Sequence, residues 1–217
     1  EKSKLIRLLY NSEKSKLTVK NEIKLIKNGD KKMQLLLDDL KKAKHHIHIE
    51  YFIVKDDSIG TKFLEIICNK ANEGVKVKMV IDDVGSSISS KMKRNLKESG
   101  VELYKFMPVL FSRFTGKMNY RDHRKIAIID GKIGYVGGMN ISDNYVNANN
   151  TRYWRDTHIR IVGEAVRQLQ ILFFTTLDFV SEGDVNISKD YFPENTCKEN
   201  VALQIAASGP DTDWSNI

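Results

Sequence analysis

A histidine and a lysine two residues apart, His123 and Lys125, are the side chains of this sequence best suited to phosphate chemistry. They lie in a run that alternates polar and apolar residues, as a β-strand does, so both point the same way, about 6–7 Å apart. A neutral imidazole can attack phosphorus or accept a proton. A lysine beside it can hold the phosphate oxygens and stabilise developing charge. A surface strand that carries a basic pair is the alternative, because this spacing alone is a weak pattern.

Asp130 has the opposite parity and precedes Gly131, between two alternating runs. An Asp-Gly pair in this position is a strong signal for a β-hairpin. The sequence therefore predicts that Asp130 shapes a turn and is structural, whereas His123 and Lys125 carry the chemistry.

The second run of the hairpin ends in Gly137-Gly138-Met139-Asn140, and a helix is predicted from 140 to 145. Glycines let backbone N–H groups approach an anion, and a helix N-terminus favours negative charge. Gly138 and Asn140 are therefore candidate phosphate ligands. A plain helix cap is the alternative for Asn140.

A nucleophilic histidine needs an acceptor to fix its second ring nitrogen. Asp156, just before a predicted strand, is the first candidate for orienting His123, and Glu50 is the second. A salt bridge of Asp156 with Arg152 or Arg155 is an equally good interpretation.

His46, His48 and Glu50 share one face of a predicted strand and superficially resemble a metal-ligand set. Neighbouring positions on one strand rarely converge on one ion without ligands from elsewhere, so no metal site is expected. Asp82 and Asp83 end a buried strand. Capping the next turn is the expected role, with a divalent ion or the pocket rim as alternatives.

Helical and strand patterns alternate along the chain, which predicts an α/β fold with a mixed central sheet flanked by helices. A short lysine-rich helical pattern comes first, Asp30 is predicted to cap the next helix, and a last strand could follow at 201–206. The main predicted helices are 31–44, 60–74, 91–99 and 164–179, and the strands are 22–26, 45–54, 75–84, 101–106 and 157–162.

The 217 residues carry a formal net charge of +7, with a sequence pI of about 9.2. This balance predicts an anionic partner: nucleic acid, an anionic bilayer surface or a phosphate-bearing substrate. Cys68 and Cys197 stand far apart without metal-ligand spacing, so neither a zinc site nor a disulfide framework is expected. The longest apolar run, 169–180, contains Asp178 and is too short to span a bilayer.

His123-x-Lys125-x4-Asp130 with the following Gly-Gly-Met-Asn resembles one HKD motif of the phospholipase D superfamily. The flanking segments resemble bacterial cardiolipin synthases, and the resemblance runs from about residue 20 to the end. These segments are His-Ile-Glu-Tyr-Phe at 48–52, Asp-Asp-Val-Gly-Ser at 82–86, Asn-Tyr-Arg-Asp-His-Arg-Lys at 119–125, Tyr-Trp-Arg-Asp-Thr at 153–157 and Ser-Gly-Pro-Asp at 208–211.

The resemblance implies a phospholipase D-like sandwich that condenses two phosphatidylglycerols into cardiolipin and glycerol. The family works through a phosphatidyl-histidine intermediate without a metal or other cofactor. His123 would be the nucleophile or its acid–base partner, Lys125 the phosphate clamp and Asn140 a further phosphate ligand. Asp130 matches the aspartate of the motif, and its structural interpretation is kept.

The family builds one site from two HKD motifs, and this sequence contains one. We therefore expect a partner in a second HKD half of a longer chain or in a homodimer mate, and little or no activity without it. The expected division is a lysine-rich segment at 1–21 that links to upstream membrane helices, a phospholipase D-like domain at 22–180, and a linker with the start of the second half at 181–217.

The expected substrate is phosphatidylglycerol or another anionic phospholipid at a membrane surface. The parent protein would lie in the bacterial cell membrane with its catalytic region on the cytoplasmic side, and this piece would be soluble. Hydrolysis by a phospholipase D differs only in the acceptor, water in place of an alcohol, and the sequence leaves that choice open.

Two further interpretations stay open. One is a homodimeric, single-motif nuclease, which the positive charge favours. The Tyr-Trp-Arg-Asp and Ser-Gly-Pro segments argue against it, so nucleic acid is not the partner we expect. The other is a module that binds anionic phosphate or a membrane surface without catalysis, against which the intact set of His123, Lys125 and Asn140 argues.

Overall fold

The computed structural model describes residues 2–107, 121–147 and 153–207. Seven strands in this part of the chain form one mixed sheet in the order β1-β7-β6-β5-β2-β3-β4. The strands are β1 (Asn21–Ile26), β2 (His46–Tyr51), β3 (Lys76–Asp82), β4 (Glu102–Phe106), β5 (Lys125–Ile129), β6 (Ile133–Gly137) and β7 (His158–Gly163).

Helices cover both faces of this sheet, as the sequence predicts for an α/β sandwich. α2, α3 and α4 pack on one face and α5 on the other, and each face has its own apolar cluster. The helices are α1 (Lys2–Glu13), α2 (Gly29–Lys41), α3 (Ser58–Asn72), α4 (Ser90–Glu98) and α5 (Val166–Val180). Within the described ranges, no helix is both long and apolar enough to cross a bilayer.

The middle of the sheet is buried on both faces, which explains the apolar strands found there. Every residue of β2 is buried. β2, β3 and β4 run parallel and are joined by α3 and α4 as crossover helices, whereas β5, β6, β7 and β1 pair antiparallel to their neighbours. β2 and β5 are therefore neighbours although 73 residues lie between the last residue of β2, Tyr51, and the first residue of β5, Lys125.

The hairpin predicted at Asp130 and Gly131 joins β5 to β6 and is confirmed. Both turn residues have positive φ, +53° and +61°, as a type I′ turn requires. The Lys132 N–H donates to the Ile129 carbonyl at 3.0 Å and closes the turn.

Three local predictions are wrong. Asn28, not Asp30, caps α2, because its side chain accepts from the Lys31 N–H at 3.0 Å. No α-helix starts at Asn140: Ile141 bridges to Val54, and only the short 3-10 turn Asp143–Tyr145 follows. The segment 201–206 forms no strand, only a single bridge to the chain before β1.

That bridge belongs to a clasp, which we define as residues 18–21 hydrogen-bonded to residues 201–203. Thr18 and Leu203 exchange two backbone hydrogen bonds of 2.8 Å, and the Val201 N–H donates to the Asn21 carbonyl at 3.1 Å. The buried Asn21 side chain donates to the Val201 carbonyl at 2.9 Å and accepts from the Ala165 N–H at 2.8 Å. The clasp thus joins the start of β1 to a segment about 180 residues later.

The division at 1–21, 22–180 and 181–217 stays a prediction. Tyr191 is buried in the apolar cluster on the α5 face of the sheet. Some predictions fall on residues 108–120, 148–152 and 208–217, among them Arg152 and the Ser-Gly-Pro-Asp segment, and they lie outside the described residues.

Candidate active site

His123 and Lys125 meet on one aromatic ring, that of Phe52. The exposed His123 ring stacks on Phe52 with 4.2 Å between ring centroids and 20° between the planes. The Lys125 Nζ lies 5.3 Å from the centroid of the same ring. The structure therefore brings together the two side chains that the sequence selects. They lie in the middle of the sheet's width, at the end where β2 stops and β5 begins.

Phe52 is a site residue that the sequence argument missed. The loop after β3 holds it, since the Ser86 hydroxyl donates to the Phe52 carbonyl at 3.1 Å. A Cβ at Gly85 would lie 2.5 Å from that carbonyl oxygen, so only glycine allows this approach. The available signal was the position of Phe52 directly after a buried strand, within the segment 48–52.

Lys125 is half-buried and lies among carboxylates. Burial lowers the pKa of its ammonium group, while the carboxylates of Asp122 and Asp156 act in the opposite direction. Its Nζ also donates to the His123 carbonyl, which ties the two residues together. A lysine so placed can offer a partly desolvated positive charge to a phosphate.

Asp156 lies next to Gly138. A Cβ at Gly138 would stand 2.2 Å from the Asp156 Oδ1, so glycine provides the room for this carboxylate. The same oxygen accepts from the Thr157 N–H at 2.6 Å. Among the described residues, no ion pair joins Asp156 to Arg155, and no hydrogen bond joins it to the His123 ring.

The predicted anion site at a helix start needs correction, because no α-helix begins there. The Gly138 N–H donates to the Thr157 carbonyl at 2.9 Å, so it does not point freely at an anion. Asn140 is 3% exposed. Its Oδ1 accepts from the Ile53 N–H at 2.9 Å, and its Nδ2 donates to the Tyr145 hydroxyl at 2.7 Å. Asn140 thus braces the segment after β2.

The contacts of Asp130 are those of a turn residue, in line with the structural interpretation that its parity suggests. Its carboxylate accepts the backbone N–H groups of Lys44, His45 and His46 at 2.9, 2.8 and 3.0 Å. It stands at the far end of β5 from His123, which at about 3.3 Å per residue places it roughly 20 Å away. The aspartate of the motif therefore joins the β5–β6 turn to the start of β2.

Glu50 does not touch the His123 ring either. It lies on the opposite face of the sheet, 1% exposed, where its Oε1 accepts from the Thr176 hydroxyl at 3.0 Å. The Arg124 Nη1 is 3.5 Å from the same oxygen and donates to the Thr176 hydroxyl at 3.0 Å. Glu50 thus contacts the neighbours of His123 in sequence.

His46 and His48 share a glutamine. The His46 Nε2 lies 3.2 Å from the Gln170 Oε1, and the His48 Nδ1 lies 2.7 Å from its Nε2. Across the described ranges, no three His, Cys, Asp or Glu side chains group as metal ligands. Asp82 caps the following turn, as expected, by accepting the N–H groups of Val84 and Gly85 at 2.9 and 2.8 Å.

A third buried histidine, His158, lies beside the site on β7. It pairs with Gly137, and neither ring nitrogen finds a hydrogen-bond partner in the part of the chain that the structure describes. Burial lowers its pKa well below the usual value, and the charges of Lys32 and Lys125 act in the same direction. His158 is therefore a buried, neutral ring beside the candidate active site.

A seven-stranded sheet between two helical layers, with a His-x-Lys pair at the start of a central strand, has the architecture of the phospholipase D superfamily. A phosphatidylserine synthase from Haemophilus influenzae Rd KW20 superposes with a TM-score of 0.62 at 15% identity, over 88% of this chain and 45% of that one. NucT from Helicobacter pylori superposes with a TM-score of 0.56 at 16% identity, over 73% of this chain and 96% of that one. These similarities establish the fold, including the phospholipase D-like sandwich expected from the sequence.

Residues 36–172, more than half of the chain, match the family model described as "Cardiolipin synthase, PLD-like domain". The chain belongs to this family. It is 39% identical to a cardiolipin synthase of Oceanobacillus iheyensis over 100% of this chain and 45% of that protein. It is 41% identical to cardiolipin synthase 2 of Bacillus anthracis over 93% of this chain and 40% of that protein. The chain therefore spans less than half the length of these relatives.

Proposed function

We propose that this chain supplies one of the two HKD motifs of a cardiolipin synthase that transfers a phosphatidyl group between two phosphatidylglycerols. The observation that carries the proposal is the meeting of an exposed His123 and a half-buried Lys125 on Phe52, in a chain of this family. The exposure of the His123 side chain supports it, because a substrate can reach an exposed ring.

In the proposed reaction, a ring nitrogen of His123 attacks the phosphorus of one phosphatidylglycerol. The bond to the glycerol oxygen breaks, and the leaving glycerol takes a proton from an acid in the second motif. The terminal hydroxyl of a second phosphatidylglycerol then attacks the phosphorus, the P–N bond breaks, and the same group takes the proton back. Cardiolipin and glycerol are the products, and proton uptake and release balance. Exchange of the two histidines between these roles gives the same overall reaction.

The other residues of the site take supporting roles in this proposal. Lys125 binds the non-bridging phosphate oxygens. Asp156, beside Lys125 and Gly138, is the carboxylate proposed to orient an imidazole of the assembled site. Asn140 already donates one N–H to Tyr145 and has a second N–H to offer the phosphate. Asp130 keeps the hairpin in place. Neither a metal nor another cofactor takes part in this proposed reaction.

We also propose an anionic membrane surface as the place of action and phosphatidylglycerol as the substrate. The net charge of +7 supports the choice, because it attracts the chain to anionic headgroups. The parent protein would then be a membrane protein with this region on the cytoplasmic side.

The test is turnover of labelled phosphatidylglycerol in vesicles by a protein that joins this chain to its second HKD motif. His123→Ala and Lys125→Ala should each lower cardiolipin formation by at least ~10²-fold, because they remove a nucleophile or acid and a charge clamp. The matched controls are His45→Ala and Lys132→Ala, which change a histidine and a lysine next to the β5–β6 turn, at the far end of β5 from His123. Wild-type turnover in His123→Ala would refute the proposal. Phosphatidic acid in place of cardiolipin would show that water is the acceptor.

A further inference from the structure

Residues 122–124 present their side chains to two faces of the sheet. His123 points to the face that carries Phe52 and Lys125, whereas its neighbours Asp122 and Arg124 point to the α5 face, where Glu50 lies buried. His123 itself is exposed, and among the described residues its ring is held by stacking on Phe52. Its position therefore depends on how firmly the backbone of residues 122–124 is held.

A chain of hydrogen bonds joins Arg124 to Glu50. The Arg124 Nη1 donates to the Thr176 hydroxyl at 3.0 Å, and that hydroxyl donates to the Glu50 Oε1 at 3.0 Å. The guanidinium also lies 3.5 Å from the same carboxyl oxygen. Arg124 is thus tied to α5 and β2 at once.

Asp122 also lies next to the Glu50 carboxyl group. Its Oδ1 accepts from the Arg124 N–H at 3.1 Å, which folds residues 122–124 into a tight local turn. The Glu50 Oε2 receives no hydrogen bond from a donor among the described residues, and the Asp122 carboxylate lies beside this carboxyl group. Two neighbouring carboxylates disfavour each other's ionisation, so this arrangement favours a proton on one of them.

That proton belongs on Glu50. Burial first, and then the charge of Asp122, raise the pKa of Glu50 well above the usual value, and Arg124 and Thr176 only partly oppose this. A protonated Glu50 turns its Oε2 from an unpaired acceptor into a donor to Asp122.

The remaining surroundings of Glu50 are apolar or already engaged. Its partners in the neighbouring strands are Val80 on β3 and Ile126 on β5. On its own strand the next residue on this face is His48, a neutral ring bound to Gln170. Further along β3, Asp82 is engaged with its own turn and with Arg121, 3.6 Å away.

We propose that Glu50 is a positioning residue: as a neutral carboxylic acid it donates to Asp122, accepts from Thr176, and so clamps residues 122–124 and fixes His123 over Phe52. The effect on catalysis rests on the proposed function, but the clamp itself does not. Ionisation of Glu50 would set two carboxylates against each other and loosen the segment. Catalytic groups must be held within about 0.5 Å to act, so a loosened segment slows the reaction.

The direct test uses this chain and needs no activity. In an NMR titration, we expect the carboxyl carbon of Glu50 and the amides of residues 122–124 to shift together, above the ordinary glutamate range. Glu50→Gln should abolish the shift of the amides, because an amide can donate to Asp122 and accept from Thr176 at any pH. Glu22→Gln, an exposed glutamate on β1, is the matched control and should leave the shift in place. Titration of Glu50 in the ordinary range, or the same amide shift in Glu50→Gln, would overturn the clamp.

The second test measures turnover against pH in the protein that carries both motifs. Glu50→Ala should lower kcat at least ~10-fold with little change in KM, whereas Glu50→Gln should restore the rate and lose the fall in activity at high pH. Wild-type kcat in Glu50→Ala, or an unchanged alkaline limb in Glu50→Gln, would refute the role in catalysis. A coupled NMR titration together with a fully active His123→Ala would instead refute the proposed function and leave the clamp standing.

Discussion

At the scale of single residues, one aromatic ring organises the site. Phe52 contacts His123 through its face and attracts the Lys125 charge, so two groups that would repel as cations share a surface favourable to both. The loop after β3 fixes the backbone of Phe52. The position of the histidine thus depends on β2, β3 and β5 together.

Asp130 is a residue of the motif that we expect to matter for stability alone. Asp130→Ala leaves three backbone N–H groups without their acceptor and should lower the free energy of unfolding by about 1–3 kcal/mol. Urea unfolding measures this change, with Asp38→Ala, an exposed aspartate on α2, as the control. Loss of activity in Asp130→Ala with unchanged stability would show a chemical role instead.

Strand parity, a local property, is enough to predict that His123 and Lys125 lie together and that Asp130 lies at the turn. Phe52 and Glu50 could not be placed in the same way, because their contacts depend on the strand order. β2 lies beside β5 only once the whole sheet forms, and no local pattern contains that pairing.

At the scale of elements, the segment after β6 provides room for Asp156. Gly138→Ala would push the new Cβ against the Asp156 carboxylate, and we expect turnover to fall at least ~10-fold while the protein stays folded. The control is Gly134→Ala on β6, whose Cβ would press on the Leu169 side chain at 2.7 Å, away from the site. That variant should lose stability and keep its turnover per folded molecule. Wild-type turnover in Gly138→Ala would exclude a role for the position of Asp156.

The sheet buries three histidines, and this makes stability depend on pH. Burial lowers the pKa of His46 to about 4 and lowers those of His48 and His158 as well. The unfolded chain takes up these protons below about pH 6.5. The stability that the neutral rings contribute is therefore fully present above pH 6.5. It is lost as the pH falls from there through the pKa values of the folded state. Each ring contributes up to ~1.4 kcal/mol per pH unit.

Glu50 acts in the opposite direction, because its raised pKa favours the folded state at low pH. The contribution of a single histidine is therefore best measured as the difference in stability between wild type and a variant that lacks this histidine. Between pH 6.5 and 5, the free energy of unfolding in urea should fall more steeply for wild type than for His46→Asn. His123→Asn, which changes an exposed ring, is the control. Equal slopes in wild type and His46→Asn would contradict the neutral buried state of His46.

The elements themselves follow from hydrophobic periodicity, and every main helix and strand predicted from it is present. The helix predicted at Asn140 does not form, because this segment pairs with a part of the chain that is distant in sequence. Ile141 bridges to Val54, and its N–H donates to the Ile53 carbonyl, so the chain is extended where a local pattern favours a helix.

At the scale of the whole molecule, the site lacks a second histidine. The sequence contains five histidines, and all five are described. His46, His48 and His158 are buried, and His45 lies beside Asp130 at the far end of β5. In the proposed reaction, a second histidine that protonates the leaving glycerol would therefore come from another chain segment or another copy.

We expect this chain, as a monomer, to have less than about 1% of the turnover of the protein with both motifs, because the general acid is worth ~10²–10⁴-fold. Light scattering would give the oligomeric state and the vesicle assay the rate at each concentration. A rate that rises with the square of the concentration would indicate a homodimer that pairs two copies of His123. Full turnover by a strict monomer would contradict the two-motif site.

The clasp between residues 18–21 and 201–203 has a consequence for solubility. Among the strands that the structure describes, β1 is the last on its side of the sheet, and an open strand of this kind invites pairing with other chains. Residues 201–203 occupy the hydrogen-bonding groups at its start, and Glu22 and Lys24 place charges along the rest. The segment 201–203 therefore protects this end of the sheet against edge-to-edge aggregation.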